Sequence, residues 1–212
     1  MILTRLGVWN RQSRCSFWLL ALAACASPPE PGLDPPETAP RLAGKAPPAT
    51  GGYPSVVMLT PEVRIETPTP AEPALMDQYG TAFHPKLLVV RPGQPVDFKN
   101  SEDVLHNVHV IDAETRKTEL NVATPVVGAY RHVFEREGAY DVSCNIHPSM
   151  AAFLIVTAAP FVAVADNQGS FELEAIPEGI YDVRVWNLEP GRRSERKIPI
   201  DAATRSLALT DS

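Results

Sequence analysis

Cys144-Asn145-Ile146-His147-Pro148-Ser149-Met150 places a thiol, an imidazole and a thioether within seven residues. Soft sulfur donors combined with an imidazole nitrogen suit copper better than the other common metals. A strand running into Cys144 and a tight loop ending at Met150 can close these three groups around one ion. A trigonal plane of two imidazoles and a thiolate, with a weak axial thioether, still needs a second His from elsewhere in the chain. His106 is the best candidate. It lies in Asn100-Ser101-Glu102-Asp103-Val104-Leu105-His106-Asn107-Val108-His109, just after the alternating Val96 and Phe98, which read as a strand of the same sheet.

Each of these residues also has a structural reading. An unpaired Cys in an exported protein is ordinarily a buried apolar filler or a stray thiol. His84, His109 and His132 read as structural, like most isolated histidines. What sets Cys144 apart is that His147 and Met150 follow it at ligand spacing. Zinc is the competing ion, but structural zinc seldom takes Met, and a catalytic zinc keeps an open position near a carboxylate base. Beyond the first 25 residues the sequence has neither the His-x-His pairs of an oxidase-type multicopper site nor a second Cys for a binuclear one.

The order His106, then Cys144-x-x-His147-x-x-Met150, resembles the small blue-copper proteins, the cupredoxins. Only Pro148 and Ser149 separate His147 from Met150, and this short loop is most similar to amicyanin; plastocyanin and azurin carry longer ones. His106-Asn107-Val108-His109 is amicyanin-like as well. The resemblance covers residues 75–157 and implies a Greek-key sandwich holding one type 1 copper ion. It further implies His106, Cys144 and His147 as strong ligands, Met150 as the axial one, and Asn107 as a tie between the two ligand loops.

The remaining composition fits that class. A chain of 212 residues with 22 prolines has room for one or two small domains plus extended segments. Short runs of Val, Ile, Phe and Tyr, Pro-rich turns, and no long stretch of period 3.6 after residue 25 predict an all-β fold. The net charge is −6; without the leader's Arg5, Arg11 and Arg14, 16 basic residues face 25 acidic ones, or −9. Nucleic acid is therefore excluded as a partner. Cys15 and Cys25 lie in the leader, so Cys144 stands alone in the folded part and no disulfide framework forms there.

In chain order, residues 1–25 combine a basic start with the apolar run Phe17-Trp18-Leu19-Leu20-Ala21-Leu22 and then Leu22-Ala23-Ala24-Cys25. The run is too short to span a bilayer. Its ending resembles a bacterial lipoprotein signal, which implies that Cys25 becomes the lipid-bearing first residue; the plainer reading is a secretory peptide cut near Ala26. With Ala26 after the Cys and no Asp there, the resemblance implies anchoring to the outer membrane. Residues 26–52 are Pro-rich with almost nothing to bury, and are expected to form a disordered tether.

Residues 53–74 begin with a strand at Ser55-Val56-Val57-Met58-Leu59-Thr60, followed by another Pro-rich passage. After residue 157 the rhythm changes to short strands separated by Asp166-Asn167-Gln168-Gly169 and Pro177-Glu178-Gly179 turns, a meander over 158–209. Its D-x-x-G-x-F…P-x-G-x-Y pattern resembles the transthyretin-like sandwich appended to some carboxypeptidases. Such sandwiches open with strands upstream of this half, so 53–74 is expected to supply one and the blue-copper part to interrupt it. The two parts together resemble plastocyanin-like proteins labelled as methylamine-utilisation proteins; there the Trp is commonly followed by His, whereas Asn187 follows Trp186 here.

The expected protein is a monomeric, non-enzymatic blue-copper carrier of one electron in the periplasm, with a transient redox protein as partner and membrane contact through the lipid anchor alone. The alternatives are a copper-holding or copper-sensing module and an envelope scaffold or adhesion sandwich.

Overall fold

Short apolar runs broken by Gly, Pro and Asn become strands throughout. The computed structural model describes residues 41–188, 194–204 and 206–210. Among them are sixteen strands and no helix: β1 (Leu42–Lys45), β2 (Val56–Pro61), β3 (Ala74–Tyr79), β4 (Ala82–His84), β5 (Leu87–Val90), β6 (Pro95–Asn100), β7 (His106–Asp112), β8 (Thr118–Thr124), β9 (Ala129–Val133), β10 (Gly138–Ser143), β11 (Ala151–Val156), β12 (Phe161–Val164), β13 (Ser170–Leu173), β14 (Gly179–Trp186), β15 (Ser194–Ile200) and β16 (Ser206–Ala208). The described part of the chain is all-β, and these strands form four sheets.

Two of the sheets enclose the larger core. The order β4-β3-β6-β9 faces β5-β11-β10-β7-β8. Alternate residues of each strand point inward because side chains on a strand repeat with period two: Val96 and Phe98 from β6, Val108 and Val110 from β7, Tyr140 and Val142 from β10, Leu154 and Val156 from β11. All are buried, and each such side chain contributes about 1.5–3 kcal/mol on leaving water. Cys144 and Met150 belong to the same core.

The other two sheets, β13-β1-β16 and β12-β2-β14-β15, enclose a smaller core around Leu59, Phe171, Tyr181 and Val183. Strand β2 is antiparallel to β12 on one side, with Met58 opposite Val162, and to β14 on the other, with Leu59 opposite Val183. The chain thus leaves this sheet after β2, runs through β3 to β11, and returns to it in β12. Both sandwiches start a strand with the same device: Tyr140 donates its hydroxyl to the Arg136 carbonyl at 3.0 Å, and Tyr181 to that of Pro177 at 2.7 Å. Each bond fastens a strand to the turn that precedes it.

A third apolar cluster joins the sandwiches. Val57 and Leu59 face Phe171 and Val183, while Val56 and Met58 point the other way, against Ile155 and Trp186. On β11, Ala152, Leu154 and Val156 face the larger core, and Phe153 and Ile155 face the smaller sandwich. The four-residue apolar run of β2 therefore reflects burial on both faces.

The tether expected over 26–52 requires correction at its C-terminal end; residues 26–40 lie outside the described residues. Strand β1 pairs antiparallel with β13, Leu42 opposite Leu173, and parallel with β16, Gly44 opposite Leu207. Leu42 and Ala46 are buried, and Gly44 lets the Phe171 ring lie against the backbone: a Cβ there would collide with that ring and stand 2.8 Å from the Leu207 carbonyl oxygen. Two apolar residues and one glycine suffice because the partners come from more than 120 residues away in the chain. Asn187 is also buried, and its side-chain amide donates to the Pro48 carbonyl at 3.2 Å and to the Ser55 hydroxyl at 2.8 Å.

Candidate metal centre

Three strand ends meet at one end of the larger sandwich. β7 starts at His106, β10 ends one residue before Cys144, and β11 starts one residue after Met150. Antiparallel pairing sets Ser143 opposite both His109 and Ala151, so the segments flanking these ligands are neighbours. The loop between β10 and β11 closes on itself: the Cys144 N–H donates to the Met150 carbonyl at 3.3 Å, and the Met150 N–H to the His147 carbonyl at 3.0 Å.

Three donor atoms converge there. His106 Nδ1 lies 4.0 Å from Cys144 Sγ, His147 Nδ1 lies 3.9 Å from it, and the two Nδ1 atoms are 3.0 Å apart. The point equidistant from all three lies in their plane, about 2.1 Å from each, close to ordinary metal–imidazole and metal–thiolate distances of ~2.0–2.3 Å. His106, Cys144 and His147 form the only such cluster of His, Cys, Asp and Glu among the described residues, with ligand atoms all within 4.8 Å of one another. The donor set and its spacing fit a metal ion. Met150, fully buried beside Cys144 in the core, adds the thioether that a zinc site rarely uses.

Glu102 orients one ligand. Its Oε2 is 2.8 Å from His106 Nε2, so the imidazole donates its Nε2–H outward and turns the Nδ1 lone pair toward Cys144 and His147. The Thr81 N–H and then the His106 ring hold the Glu102 carboxyl below the usual carboxylate range. Asn100, buried at the end of β6, shapes this loop by accepting from the Glu102 N–H at 3.0 Å and donating to the Val104 carbonyl at 2.8 Å. Sequence reading missed both residues. The available signal was an acid four positions ahead of His106, and it is weak because Asp103 beside it offers a second carboxylate in the same turn.

Asn107 links the two ligand-bearing segments. Its Oδ1 accepts from the Asn145 N–H at 2.6 Å, next to Cys144, and its Nδ2 donates to Asn121 Oδ1 at 2.8 Å. Its carbonyl accepts from buried Gln78, which in turn accepts from the Thr124 hydroxyl at 2.6 Å. His109 lies outside the metal cluster and contacts the Asn145 and Thr118 side chains. His84 and His132 are remote from it as well, bonding Tyr79 and facing Glu119 respectively.

His147 is the most exposed of the four residues, at half-buried against fully buried His106, Cys144 and Met150. At the same end of the larger sandwich, Ile146 beside His147, Val104 and Leu105 just ahead of His106, and Val126 and Val127 just after Thr124, which pairs with His106, all present apolar side chains to solvent. They come from three loops, of which the one before His106 and the one after β8 are joined by backbone bonds from Asn100 to Gly128 and from Val127 to Glu102. Cys25 lies outside the described residues.

Residues 74–157 match the family described as copper binding proteins, plastocyanin/azurin family, so this segment is a cupredoxin domain. Among solved structures, a reduced Cu(I) form of an amicyanin mutant is 26% identical, with 40% of this chain and 81% of that chain covered and a TM-score of 0.37. A purple cupredoxin from Nitrosopumilus maritimus is also 26% identical, covering 40% of this chain and 99% of its own, at a TM-score of 0.36. A copper-containing nitrite reductase from Thermus scotoductus is 26% identical over 46% of this chain and 25% of that one, at 0.35. No curated protein matches the chain.

Proposed function

We propose that the cupredoxin domain holds one copper ion in a type 1 (blue) centre, with His106, Cys144 and His147 as strong ligands and Met150 as the weak axial one, and that the protein is a one-electron carrier rather than an enzyme. The observation that carries this reading is the convergence of two Nδ1 atoms and one Sγ at metal-ligand spacing, beside a buried Met, in a domain of a copper-binding family. A bound copper ion supplies one-electron chemistry, cycling between Cu(I) and Cu(II). The chain's contribution is to keep the donors still. Glu102 fixes the His106 tautomer, Asn107 holds the β7 and β10 ends together, and the sandwich core clamps Cys144 and Met150. A site that demands little movement between oxidation states suits outer-sphere transfer.

His147, as the most exposed ligand, is the exit for the electron, and the exposed apolar residues at this end of the sandwich form a small patch for transient docking of a redox protein. The order of strands supports a division in which the cupredoxin is inserted into a transthyretin-like sandwich, since β2 lies between β12 and β14. The lipoprotein-like leader supports a periplasmic, lipid-anchored protein on the outer membrane. Cys25→Ala should then move the full chain from the membrane fraction into soluble extract, and unchanged fractionation would remove the anchor from the proposal.

The decisive experiment is copper loading of the purified chain. Intense visible absorption from thiolate-to-copper charge transfer, with reversible one-electron voltammetry, is the expected result. A colourless protein that binds Cu(I) tightly would replace the carrier with a copper-holding module. Failure to take up copper would overturn both.

A further inference from the structure

The smaller sandwich reaches into the ligand loop of the larger one. Thr50 and Tyr53 exchange both backbone hydrogen bonds at 3.0 Å across Gly51 and Gly52, whose φ values of +61° and +82° match the two central residues of a type I′ hairpin turn. This turn is tied to the smaller sandwich by the Ala49 N–H bonding the Asn167 carbonyl, by Ser55 bonding the Pro47 carbonyl, and by Asn187 bonding Pro48. From it, Tyr53 crosses to the outer face of β11. Its ring meets Phe153 edge to face at 4.7 Å, Phe153 in turn meets Trp186 at 5.3 Å, and its hydroxyl donates to the Ala151 carbonyl at 3.2 Å.

Ala151 immediately follows Met150 and pairs with Ser143, which immediately precedes Cys144. The Tyr53 hydroxyl therefore bonds the backbone at the point where the ligand loop rejoins the sheet. Burial raises the Tyr53 pKa above the ordinary phenol value, so the group remains a donor across the physiological range.

We infer that Tyr53 is a positioning residue for the metal centre: a side chain from outside the cupredoxin domain that braces the Met150–Ala151 backbone, and through it the axial thioether and Cys144. The smaller sandwich is then a structural part of the centre, which answers what a second sandwich does beside a domain that already contains every ligand. This inference rests on the copper reading above as far as the metal is concerned, but the brace itself is a property of the polypeptide.

The test is Tyr53→Phe in the full chain, which keeps the ring against Phe153 and deletes only the hydroxyl. A 3.2 Å bond is at the long end for a hydroxyl donor, so the effect belongs at the lower end of hydrogen-bond strengths. In the metal-free protein, amide exchange at Cys144 and Met150 should quicken about two- to fivefold while Val110 in β7 is unchanged. In the copper-loaded protein the reduction potential should move upward, in the direction of Met150→Leu, because a looser axial thioether favours Cu(II) less. Unchanged exchange at Cys144 and Met150, equal acceleration at Val110, or an unchanged potential in a variant that still binds copper each overturns the brace. A wild-type chain that takes up no copper refutes the carrier reading, and exchange alone then decides the role of Tyr53.

Discussion

Replacing Asn107 with alanine cuts a side chain that bonds both β8 and the backbone of the segment after Cys144, where His109 reaches only the Asn145 side chain. The variant loses the Oδ1 acceptor for the Asn145 N–H at 2.6 Å and the Nδ2 donor to Asn121 at 2.8 Å, while the Asn107 carbonyl keeps its bond from Gln78. Each lost bond is worth about 0.5–1.5 kcal/mol, and both former partners are exposed enough for water to replace Asn107. The expected destabilisation of the metal-free protein is therefore about 1–3 kcal/mol in urea unfolding, without the larger penalty of a buried orphan group. Copper affinity should fall further, about 10- to 100-fold, because the bond at Asn145 sets the distance between the Cys144 and His106 segments. Competition against a chelator of known affinity measures this. Asn107→Asp retains an oxygen for the Asn145 N–H and should recover most of the copper affinity. An alanine variant within about 0.5 kcal/mol of wild type and equal to it in copper affinity would refute the claim that this side chain holds the ligand segments together.

Further outcomes follow from the same structure. Cys144→Ser should abolish the blue colour, since a hydroxyl cannot supply the thiolate charge-transfer band, whereas Met150→Leu should keep copper and colour and raise the potential; loss of copper from the Met150 variant would contradict an axial role. Gly44→Ala should destabilise by about 1–3 kcal/mol, because a Cβ there collides with the buried Phe171 ring and the Leu207 backbone, and an unchanged melting temperature would show that β1 is not packed as described. Asp166 accepts from the Ser170 and Gln168 N–H groups at 2.7 and 2.8 Å, and these bonds hold its carboxyl below the usual carboxylate range. With the folded pKa lowered, its contribution is present above the ordinary Asp pKa and is lost as pH falls through the lowered value. Asp166→Asn should therefore reduce the dependence of stability on pH on the acid side of the ordinary Asp pKa; an unaltered acid limb would refute the assignment.

How much of this could be read from the chain depends on the range of the interaction. The donor types and the spacing Cys144-x-x-His147-x-x-Met150 are local, so their chemistry stands in the sequence, and the cupredoxin resemblance extends it to His106 at a distance. The all-β class is legible for the same reason: period-two alternation in Val96-Asp97-Phe98 or Tyr140-Asp141-Val142 is a property of neighbours. Glu102 is a different case. Its role depends on the Thr81 N–H, from the β3–β4 turn, and the His106 ring, from the start of β7, arriving at one carboxylate, and nothing in Ser101-Glu102-Asp103 marks that.

The same division separates the smaller sandwich from the larger. Leu42 and Ala46 sit in a Pro-rich passage whose composition speaks for an unfolded tether, and β15 and β16 carry little apolar alternation. Strands β1 and β16 exist because β1 meets Phe171 and Leu173 of β13 on one side and Leu207 of β16 on the other by chain closure over long separations, which no local pattern encodes, whereas β15 pairs with its chain neighbour β14. Val56-Val57-Met58-Leu59 announces a strand buried on both faces, but only the tertiary fold assigns Val57 and Leu59 to one core and Val56 and Met58 to the layer against β11. The sequence by itself determined which donor atoms are available to a metal ion and that strands would carry them. Tertiary structure decided which carboxylate orients His106 and which tyrosine braces Ala151, because both are contacts between segments whose proximity arises only when the sheets pack.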